Sequence, residues 1–362
     1  MSGPFGSSQW MYASGGFYPH EIGQSCRFES GDSSYLQRTA GTPTNNKVWT
    51  LSCWVKLGDL GSSRTIFSGV SSTSAYDQLT FNSSNQFFMQ FANSGVYGQG
   101  TSTQVFRDVN AWGHLVVKAD TTAGSNGVTV YWNSEVVPGS WSAASLALNA
   151  SFASINASGD AQRFSLLDTG VAAQYFDGYV AECHFIDGQA YDPTFFGETK
   201  EGVWIPKEYS SSYGNNGFKL NFNDSSALGD DTSGNGNDFT ASGLGADHQV
   251  IDAPTNNFSV LKIAGTPAES GAVLSQGNLK CESTAGTSAR NMERSFTSTL
   301  LLKAGSKWYV EHYVTDTDFA FGLSPEQSGK IQHDSNNSRY CLVYNTGGAV
   351  MNFQSFTGIF GN

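Results

Sequence analysis

Residues 48–57 read VWTLSCWVKL, and the alternation in this stretch decides the fold class. In an extended chain Leu51, Cys53, Val55 and Leu57 share one face, whereas Thr50, Ser52, Trp54 and Lys56 share the other. A period of two residues is typical of a half-buried β-strand. We therefore expect a strand that packs one side against a core and turns its other side toward solvent.

Segments of the same kind continue on both sides of this strand, and turn residues separate nearly all of them. They are SCRFES (25–30), SYLQRT (34–39), RTIFSGV (64–70), QLTFNSSNQFFMQF (78–91), WGHLVVKADT (112–121), VTVYWNSEVV (128–137), RFSLLDTG (163–170) and FDGYVAECHFIDG (176–188). Within VTVYWNSEVV, Asn133-Ser134 predicts a hairpin turn because Asn tolerates a positive φ. Many short strands, 41 glycines and only 14% charged residues favour an all-β fold of antiparallel sandwiches.

The charge of the chain argues against nucleic acid as a partner. The formal net charge is -12 with only 19 Lys plus Arg, which would repel a phosphate backbone. No apolar run has the length of a membrane helix, and the N-terminus lacks the basic-then-apolar order of a secretory signal. We expect a protein without membrane insertion that is synthesised in a cytoplasm.

The length of 362 residues predicts two domains. We divide the chain into an N-terminal segment (1–21), a first sandwich (22–224), a connector (225–257) and a second sandwich (258–362). The connector is predicted to be irregular because it holds few large apolar residues and many turn formers. The second sandwich is short for this architecture, which favours a truncated domain and a natural chain that continues beyond Asn362.

The N-terminal segment is rich in Gly, Ser and large apolar residues but shows no period. Two interpretations fit it: a disordered tail, or an anchoring element that inserts into a larger assembly. The residues that would anchor are Trp10, Met11, Tyr12, Phe17 and Tyr18.

The five cysteines are Cys26, Cys53, Cys183, Cys281 and Cys341, and no two of them form a CxxC pair. Neither a zinc site nor a complete disulfide framework is indicated, so we interpret them as buried thiols. A disulfide between Cys53 and Cys183 stays open as an alternative, because their strands could be neighbours.

The sequence shows no catalytic constellation, and we expect no enzyme. Glycanases on jelly rolls carry two carboxylates on one strand face. Glu182 and Asp187 are separated by five residues, which places them on opposite faces of a strand. The six histidines are scattered without the spacing of metal ligands.

The segment DTSGNGND (231–238) is the most metal-like stretch of the chain. Asp231, Ser233, Asn235 and Asp238 could offer oxygen ligands to Ca²⁺ in a loop that glycine lets turn sharply. The closing bidentate glutamate is replaced by Ser242. An Asx-rich turn without metal is therefore the other interpretation, and we predict no cofactor.

Three blocks carry a family resemblance: SCRFESGDSSYLQRT (25–39), WTLSCWVKLGDL (49–60) and FDGYVAECHFIDGQAYDPTFFGE (176–198). They resemble the concanavalin A-like (laminin-G-like) jelly rolls of fibre and structural proteins of marine tailed bacteriophages. The resemblance runs from about residue 22 to 223, and IDAPTNNF (251–258) recurs after such jelly rolls. It implies a virion surface protein assembled in the host cytoplasm, and it suggests a homo-oligomer, with a trimer favoured.

The later motifs SKWYVE (306–311) and FGL (321–323) look like the start of a SPRY-type β-sandwich, whose later strands are missing here. The two resemblances together predict a tail or head fibre that attaches to a host-surface glycan or receptor. Loop aromatics are the candidates for stacking on sugar rings: Tyr76, Tyr97, Trp141, Tyr175 and Tyr213. A purely architectural virion subunit and, less favoured, a polysaccharide depolymerase are the alternatives.

Overall fold

A computed structural model describes residues 16–123, 127–141, 146–170, 173–264, 272–283 and 295–299, with the short strands 319–321, 342–345 and 349–352. The described residues form two compact units. The first holds residues 16–258 and 275–278, and the second holds the described parts of 259–274 and 279–352. In the part of the chain that the structure describes, no helix has the length and apolar content of a membrane span.

The first unit is built from short strands. The first ten are β1 (Ser25–Phe28), β2 (Tyr35–Thr39), β3 (Val48–Leu57), β4 (Arg64–Ser72), β5 (Ala75–Phe81), β6 (Gln86–Asn93), β7 (Val96–Val105), β8 (Gly113–Asp120), β9 (Val128–Trp132) and β10 (Glu135–Val136). The next ten are β11 (Gly139–Ser140), β12 (Ala161–Phe164), β13 (Leu166–Asp168), β14 (Ala173–Tyr175), β15 (Gly178–Asp187), β16 (Gly197–Lys200), β17 (Val203–Pro206), β18 (Phe218–Leu220), β19 (Thr240–Ser242) and β20 (Gln249–Val250). Single 3₁₀ turns lie at Thr121–Ala123, Pro193–Phe195 and Ala246–His248.

Two sheets face each other to form a sandwich. Sheet A has the order β10-β9-β8-β3-β15-β1-β20, with β18 also paired to β15, and sheet B has the order β11-β7-β6-β5-β4-β12-β2-β19. Every pairing whose register is given within these sheets is antiparallel. The prediction of an all-β antiparallel sandwich is confirmed.

Aromatic side chains fill the core between the sheets. Phe185 stacks on Trp49 at 5.8 Å and on Phe218 at 5.5 Å between ring centroids. Phe67 of sheet B lies 5.8 Å from Phe185, so the two sheets meet through this cluster. Leu51, Cys53, Val55 and Leu57 of β3 face this core as the sequence predicts.

The other face of β3 is also buried, which corrects the prediction of a half-buried strand. Ser52 and Lys56 are at most 1% exposed, and Trp54 is 5% exposed. A third layer covers them, since the chain that follows β15 folds back over sheet A: Tyr191 N donates to Thr50 Oγ1 at 2.8 Å. Local alternation cannot predict this layer, because the residues that form it lie more than a hundred positions from β3 in the sequence.

The hairpin turn at Asn133-Ser134 is confirmed. Both residues have positive φ, 49° and 72°, and Glu135 pairs with Trp132 across the turn. The Asn133 side chain also stabilises the turn, because its Oδ1 accepts a hydrogen bond from His114 N at 2.8 Å. A two-residue turn with two positive φ angles matches the twist of the strands it joins.

Residues 225–257 do not form the connector that their composition predicts. They lie in the first unit, where β19 pairs with β2 and β20 pairs with β1. Few apolar residues suffice here because the segment is held by hydrogen bonds to other parts of the unit. An example is Gln249 Nε2, which donates to Phe222 O at 2.7 Å.

Lys56 fixes the end of this segment. Its ammonium is fully buried and donates to Asp252 Oδ2 at 2.7 Å, Asn257 Oδ1 at 2.8 Å and Phe258 O at 2.7 Å. Three acceptors satisfy the three N–H groups of the ammonium. Asp252 in turn accepts from Trp112 Nε1 at 2.8 Å, so the carboxylate is held from both sides.

The buried-thiol interpretation holds for the cysteines whose side chains are described. Cys26, Cys53 and Cys183 are free and buried, and Cys281 is free and half-buried. Cys53 and Cys183 lie in the core on the paired strands β3 and β15, so the two strands that carry them are adjacent, as the disulfide alternative requires. Burial raises the pKa of both Cys26 and Cys183 well above the usual thiol value. Cys341 lies outside the described residues.

The second unit is described only as short strands. Leu261–Ala264 pairs with Ser295–Ser298, Ala272–Ser275 pairs with Lys280–Ser283, and Phe319–Phe321, Leu342–Asn345 and Ala349–Asn352 form one sheet. The predicted SPRY signature at 306–311 lies outside the described residues.

We expect Lys56→Met to lower the free energy of unfolding by about 3–5 kcal/mol, because Asp252 would stay buried without its cation. Urea unfolding followed by tryptophan fluorescence measures the change. Lys207→Met, at an exposed position, is the matched control and should change it by less than about 0.5 kcal/mol. Equal stability of the two variants would mean that the Lys56 cluster does not hold residues 252–258 in place.

Candidate functional site

The outer face of sheet B carries a line of polar side chains across six strands. The register aligns Gln37 on β2, Arg163 on β12, Ser68 on β4, Gln78 on β5, Gln90 on β6 and Gln99 on β7. Each residue stands opposite the next, so all six side chains share one face. We call these six residues the polar row.

Hydrogen bonds join neighbouring members of the polar row. Gln90 Oε1 accepts from Gln78 Nε2 at 3.2 Å, and Gln90 Nε2 donates to Gln99 Oε1 at 3.4 Å. At the other end, Arg163 Nε donates to Gln37 Oε1 at 2.6 Å. The side chains are therefore oriented by one another before any ligand arrives.

A hairpin and two tyrosines flank the polar row. Tyr76 donates from its hydroxyl to Gln90 Oε1 at 2.9 Å. The β13–β14 hairpin contacts outward-facing residues of sheet B: Thr65 Oγ1 donates to Gln174 Oε1 at 3.4 Å, and the Tyr175 ring lies 6.5 Å from the Tyr35 ring. Polar groups with half-buried aromatic rings beside them suit a polar ligand that also has apolar faces.

Two of the five predicted sugar-stacking aromatics, Tyr76 and Tyr175, lie at this face. Trp141 packs against the core and donates from Nε1 to Val137 O at 2.9 Å. Tyr97 and Tyr213 are held inside hydrogen-bond clusters that do not belong to the polar row. The structure thus brings two candidates to one surface and assigns structural contacts to the other three.

Tyr97 belongs to a buried cluster around Asp77. Asp77 is 0% exposed and accepts hydrogen bonds from Ser154 N, Ile155 N and the Tyr97 hydroxyl at 2.8, 2.7 and 3.2 Å. Burial raises the pKa of Asp77 to about 7, and the hydrogen bonds oppose that rise only in part. Asp77 therefore gains a proton near neutral pH in the folded chain.

Tyr213 belongs to a cluster on the opposite side of the sandwich, over sheet A. Its hydroxyl lies 2.9 Å from His184 Nδ1, and His184 Nε2 lies 3.2 Å from Glu182 Oε1. His20 Nε2 lies 2.8 Å from Glu182 Oε2, which ties the N-terminal segment to β15. Burial alone would raise the pKa of Glu182, yet the hydrogen bonds from His184 and His20 hold that pKa well below its usual value.

Glu182 also has a strained backbone. Its φ is 36°, at a register shift between Ala181 and His184 in the pairing of β15 with β3. The opposite-face prediction for Glu182 and Asp187 holds, because Asp187 points to the other side and accepts from Asn156 Nδ2 at 2.8 Å. The two carboxylates cannot flank one glycosidic bond.

A carboxyl pair that sequence reasoning missed lies at Glu29 and Asp177. Burial, followed by the charge of the nearby Asp177, raises the pKa of Glu29 to about 7. Backbone and hydroxyl groups donate hydrogen bonds to both carboxyl groups. Gly277 N donates to Glu29, and Ser30 N and Oγ donate to Asp177.

The described residues of the N-terminal segment contact their own unit. Lys200 Nζ donates to Phe17 O at 2.8 Å and to Gly16 O at 3.2 Å. The rings of Phe17 and Tyr18 lie 5.0 Å apart in an edge-to-face arrangement. The other three predicted anchors, at positions 10 to 12, lie outside the described residues.

The metal-like loop 231–238 is held by its own hydrogen bonds. Asp231 accepts four of them, from Lys219 N, Ser233 N, Ser233 Oγ and Asn237 N. Asp238 accepts from Asp231 N, and Asn235 Nδ2 donates to Gly214 O and Gly217 O. This is the geometry of an Asx-rich turn. Within the described ranges, no three His, Cys, Asp or Glu side chains are grouped to hold a metal ion.

The contribution of Asp77 to the stability of the chain should fall as the pH rises, and Asp77→Asn should remove that contribution. A carboxyl whose folded pKa is raised contributes stability that is complete below its unfolded pKa, near 4, and is lost as the pH passes about 7. A folded pKa that lies one pH unit above the unfolded pKa corresponds to about 1.4 kcal/mol of stability. We measure the melting temperature of Asp77→Asn minus that of the native chain. We expect this difference to become more positive between pH 5 and pH 8.5.

Asp230→Asn, at an exposed position, is the control for this experiment, and its difference from the native chain should not change with pH. A constant difference for Asp77→Asn would show that Asp77 stays ionised in the folded chain.

Chelation should change stability little. Because protein donors already occupy the Asp231 oxygens, excess EDTA should shift the melting temperature by less than about 3 °C, roughly the effect of 1 kcal/mol in a domain of this size. Differential scanning calorimetry with and without added CaCl₂ measures this. A larger drop that calcium reverses would make the loop a structural metal site.

Comparison with known proteins supports the fold. Residues 30–190 match the sequence model of the concanavalin A-like lectin/glucanases superfamily. That range contains every residue of the polar row. No curated protein matches the chain.

Similar solved structures include a Bacteroides ovatus protein described as carbohydrate-binding, with a TM-score of 0.41 and 14% identity, covering 62% of this chain and 58% of that one. A heptameric pentraxin from Limulus polyphemus has a TM-score of 0.34 and 12% identity, and the match covers 48% of this chain and 79% of that one. A Ruminococcus gnavus sialidase module bound to sialyllactose has a TM-score of 0.30 and 15% identity, and the match covers 40% of this chain and 87% of that one. With the sheet order and the superfamily match, the first unit is a concanavalin A-like, laminin G-like jelly roll.

Proposed function

We propose that this protein binds a glycan through the outer face of sheet B, as a virion surface protein of a tailed bacteriophage. The observation that carries the binding proposal is the polar row. Amide and guanidinium groups match sugar hydroxyls as donors and acceptors, and Tyr76 offers a ring beside them. The superfamily match supports a lectin-like use of the fold, by analogy.

The outer face of sheet A is less suited to this task. Residues that follow β15 cover it, and aromatic rings such as those of Phe196 and Tyr209 stack there at 5.1 Å. Polar groups under this layer already bond to one another, as His114 does with Ser52 at 2.8 Å. By contrast, Gln90 and Gln99 on sheet B are partly exposed.

The virion placement rests on the resemblance of residues 22–223 to phage fibre and structural proteins. In this proposal the protein forms a homo-oligomer, with a trimer favoured, and docks on other virion proteins through its N-terminal segment. The jelly roll then presents sheet B to the host surface. Catalysis is not part of the proposal, since Glu182 and Asp187 lie on opposite faces of β15.

A glycan array with the full chain tests the binding proposal. We expect saturable binding that a free glycan competes away, and at least a tenfold loss in Gln90→Ala, because Gln90 bonds both to its row neighbours and to Tyr76. Gln189→Ala, an exposed glutamine outside sheet B, should bind as the native chain does. Silence across the array would favour a purely architectural subunit, and shortening of a bound polysaccharide would favour a depolymerase.

Deleting residues 1–15 tests the anchoring proposal. The deletion spares residues 16–21, which contact the jelly roll, so the far-UV circular dichroism should stay unchanged. Each large apolar side chain buried in a partner contributes about 1.5–3 kcal/mol, so losing Trp10, Met11 and Tyr12 should remove the protein from assembled particles. Quantitative mass spectrometry of purified virions measures its copy number. Normal incorporation of the shortened chain would place the anchor elsewhere.

A further inference from the structure

Arg163 is the one charged side chain that the described strands of sheet B direct outward. The other outward positions of β2, β12, β4, β5, β6 and β7 carry only Tyr, Gln, Thr, Ser, Phe, Val and Ala. In a chain with a net charge of -12, a lone cation on an uncharged face is an unusual placement.

Its hydrogen bonds orient the guanidinium without neutralising it. Nε donates to Gln37 Oε1, and Nη1 donates to Asp168 O at 3.0 Å, so both partners are uncharged oxygens. The nearest carboxylate on the hairpin, that of Asp168, instead accepts from Gly170 N at 2.8 Å. Among the described residues Arg163 forms no ion pair, and its Nη2 donates no hydrogen bond.

The remaining donors of Arg163 suit a planar anion. A guanidinium with its Nε edge already occupied still presents Nη2 and one Nη1 hydrogen, which can reach a carboxylate. Screening at physiological ionic strength acts over about 8 Å, so the distant acidic groups of the chain weaken this local attraction only slightly.

The polar row also has a length and a direction. Six adjacent strands give five intervals of about 4.8 Å, or about 24 Å from Gln37 to Gln99. The row crosses the strands at right angles. Its two central members are buried, since Ser68 is 0% exposed and donates to Leu166 O at 2.5 Å and Gln78 is 6% exposed. Gln37 and Arg163 at one end and Gln90 and Gln99 at the other are partly exposed, so a ligand that contacts both ends must be an extended chain with repeated hydroxyl groups.

We propose that sheet B binds a linear, carboxylate-bearing glycan that lies across the strands, with one sugar carboxylate paired to Arg163. This inference rests on the proposed glycan-binding function and specifies its ligand class. The partly exposed amides of Gln90 and Gln99 hold hydroxyl groups of sugars farther along the chain. Arg163 sets the preference for an acidic polymer over its neutral counterpart.

The test uses the full chain and three linear probes, polygalacturonate, alginate and hyaluronate, each also in a carboxyl-reduced neutral form. We expect at least one acidic probe to bind at least tenfold more tightly than its reduced form. Arg163→Gln should remove that preference and leave binding of the reduced form unchanged. Arg107→Gln, at an exposed position outside the strands, is the matched control. Oligosaccharides of increasing length should bind more tightly until they span the row.

The outcomes separate this inference from the proposed function. Equal affinity for acidic and reduced polymers, or full binding by Arg163→Gln, overturns the carboxylate assignment while glycan binding stands. Equal binding of poly-L-glutamate would show that the face recognises an acidic chain of any kind, which also overturns it. If neither these probes nor any array glycan binds, both proposals fail.

Discussion

The buried ammonium of Lys56 is the contact on which the arrangement of the first unit depends. A charged group in the middle of a sheet is stable only where acceptors surround it, because removing it from water is costly. Residues 252–258 supply those acceptors through Asp252, Asn257 and the carbonyl of Phe258. This end of the segment must therefore stay packed on sheet A, although its sequence has the composition of a linker.

This packing covers the outer faces of the two sheets to different extents. Sheet A carries a third layer formed by residues before β1, after β15 and after β20, and its outward polar groups pair with that layer. Sheet B carries only the β13–β14 hairpin on its outer face among the described residues. Gln37, Arg163, Gln90 and Gln99 stay partly exposed, whereas Ser68 and Gln78 are buried. The same asymmetry explains why Tyr213 lies in a structural cluster while Tyr76 stands beside Gln90.

The polar row combines orientation with adaptability. Hydrogen bonds between Gln78, Gln90 and Gln99 restrict their rotamers, which lowers the entropy lost when a ligand is held. Glutamine amides can also exchange these mutual bonds for bonds to hydroxyl groups, since each amide both donates and accepts. Binding on such a face depends on many modest contacts, and Arg163 adds the one contact that distinguishes ligands by charge.

The sequence by itself determined the all-β class, many strands of the first unit, the hairpin at Asn133-Ser134 and the core face of β3, because these follow from alternation and turn chemistry between near neighbours. It also placed Tyr76 and Tyr175 among the candidate ligand contacts. Tertiary structure alone decided that β3 is buried on both faces, that residues 225–257 belong to the jelly roll and that the polar row exists. The row depends on the register between strands up to 126 residues apart, as Gln37 and Arg163 are. No local pattern encodes that register, since it is set by how the whole sandwich packs.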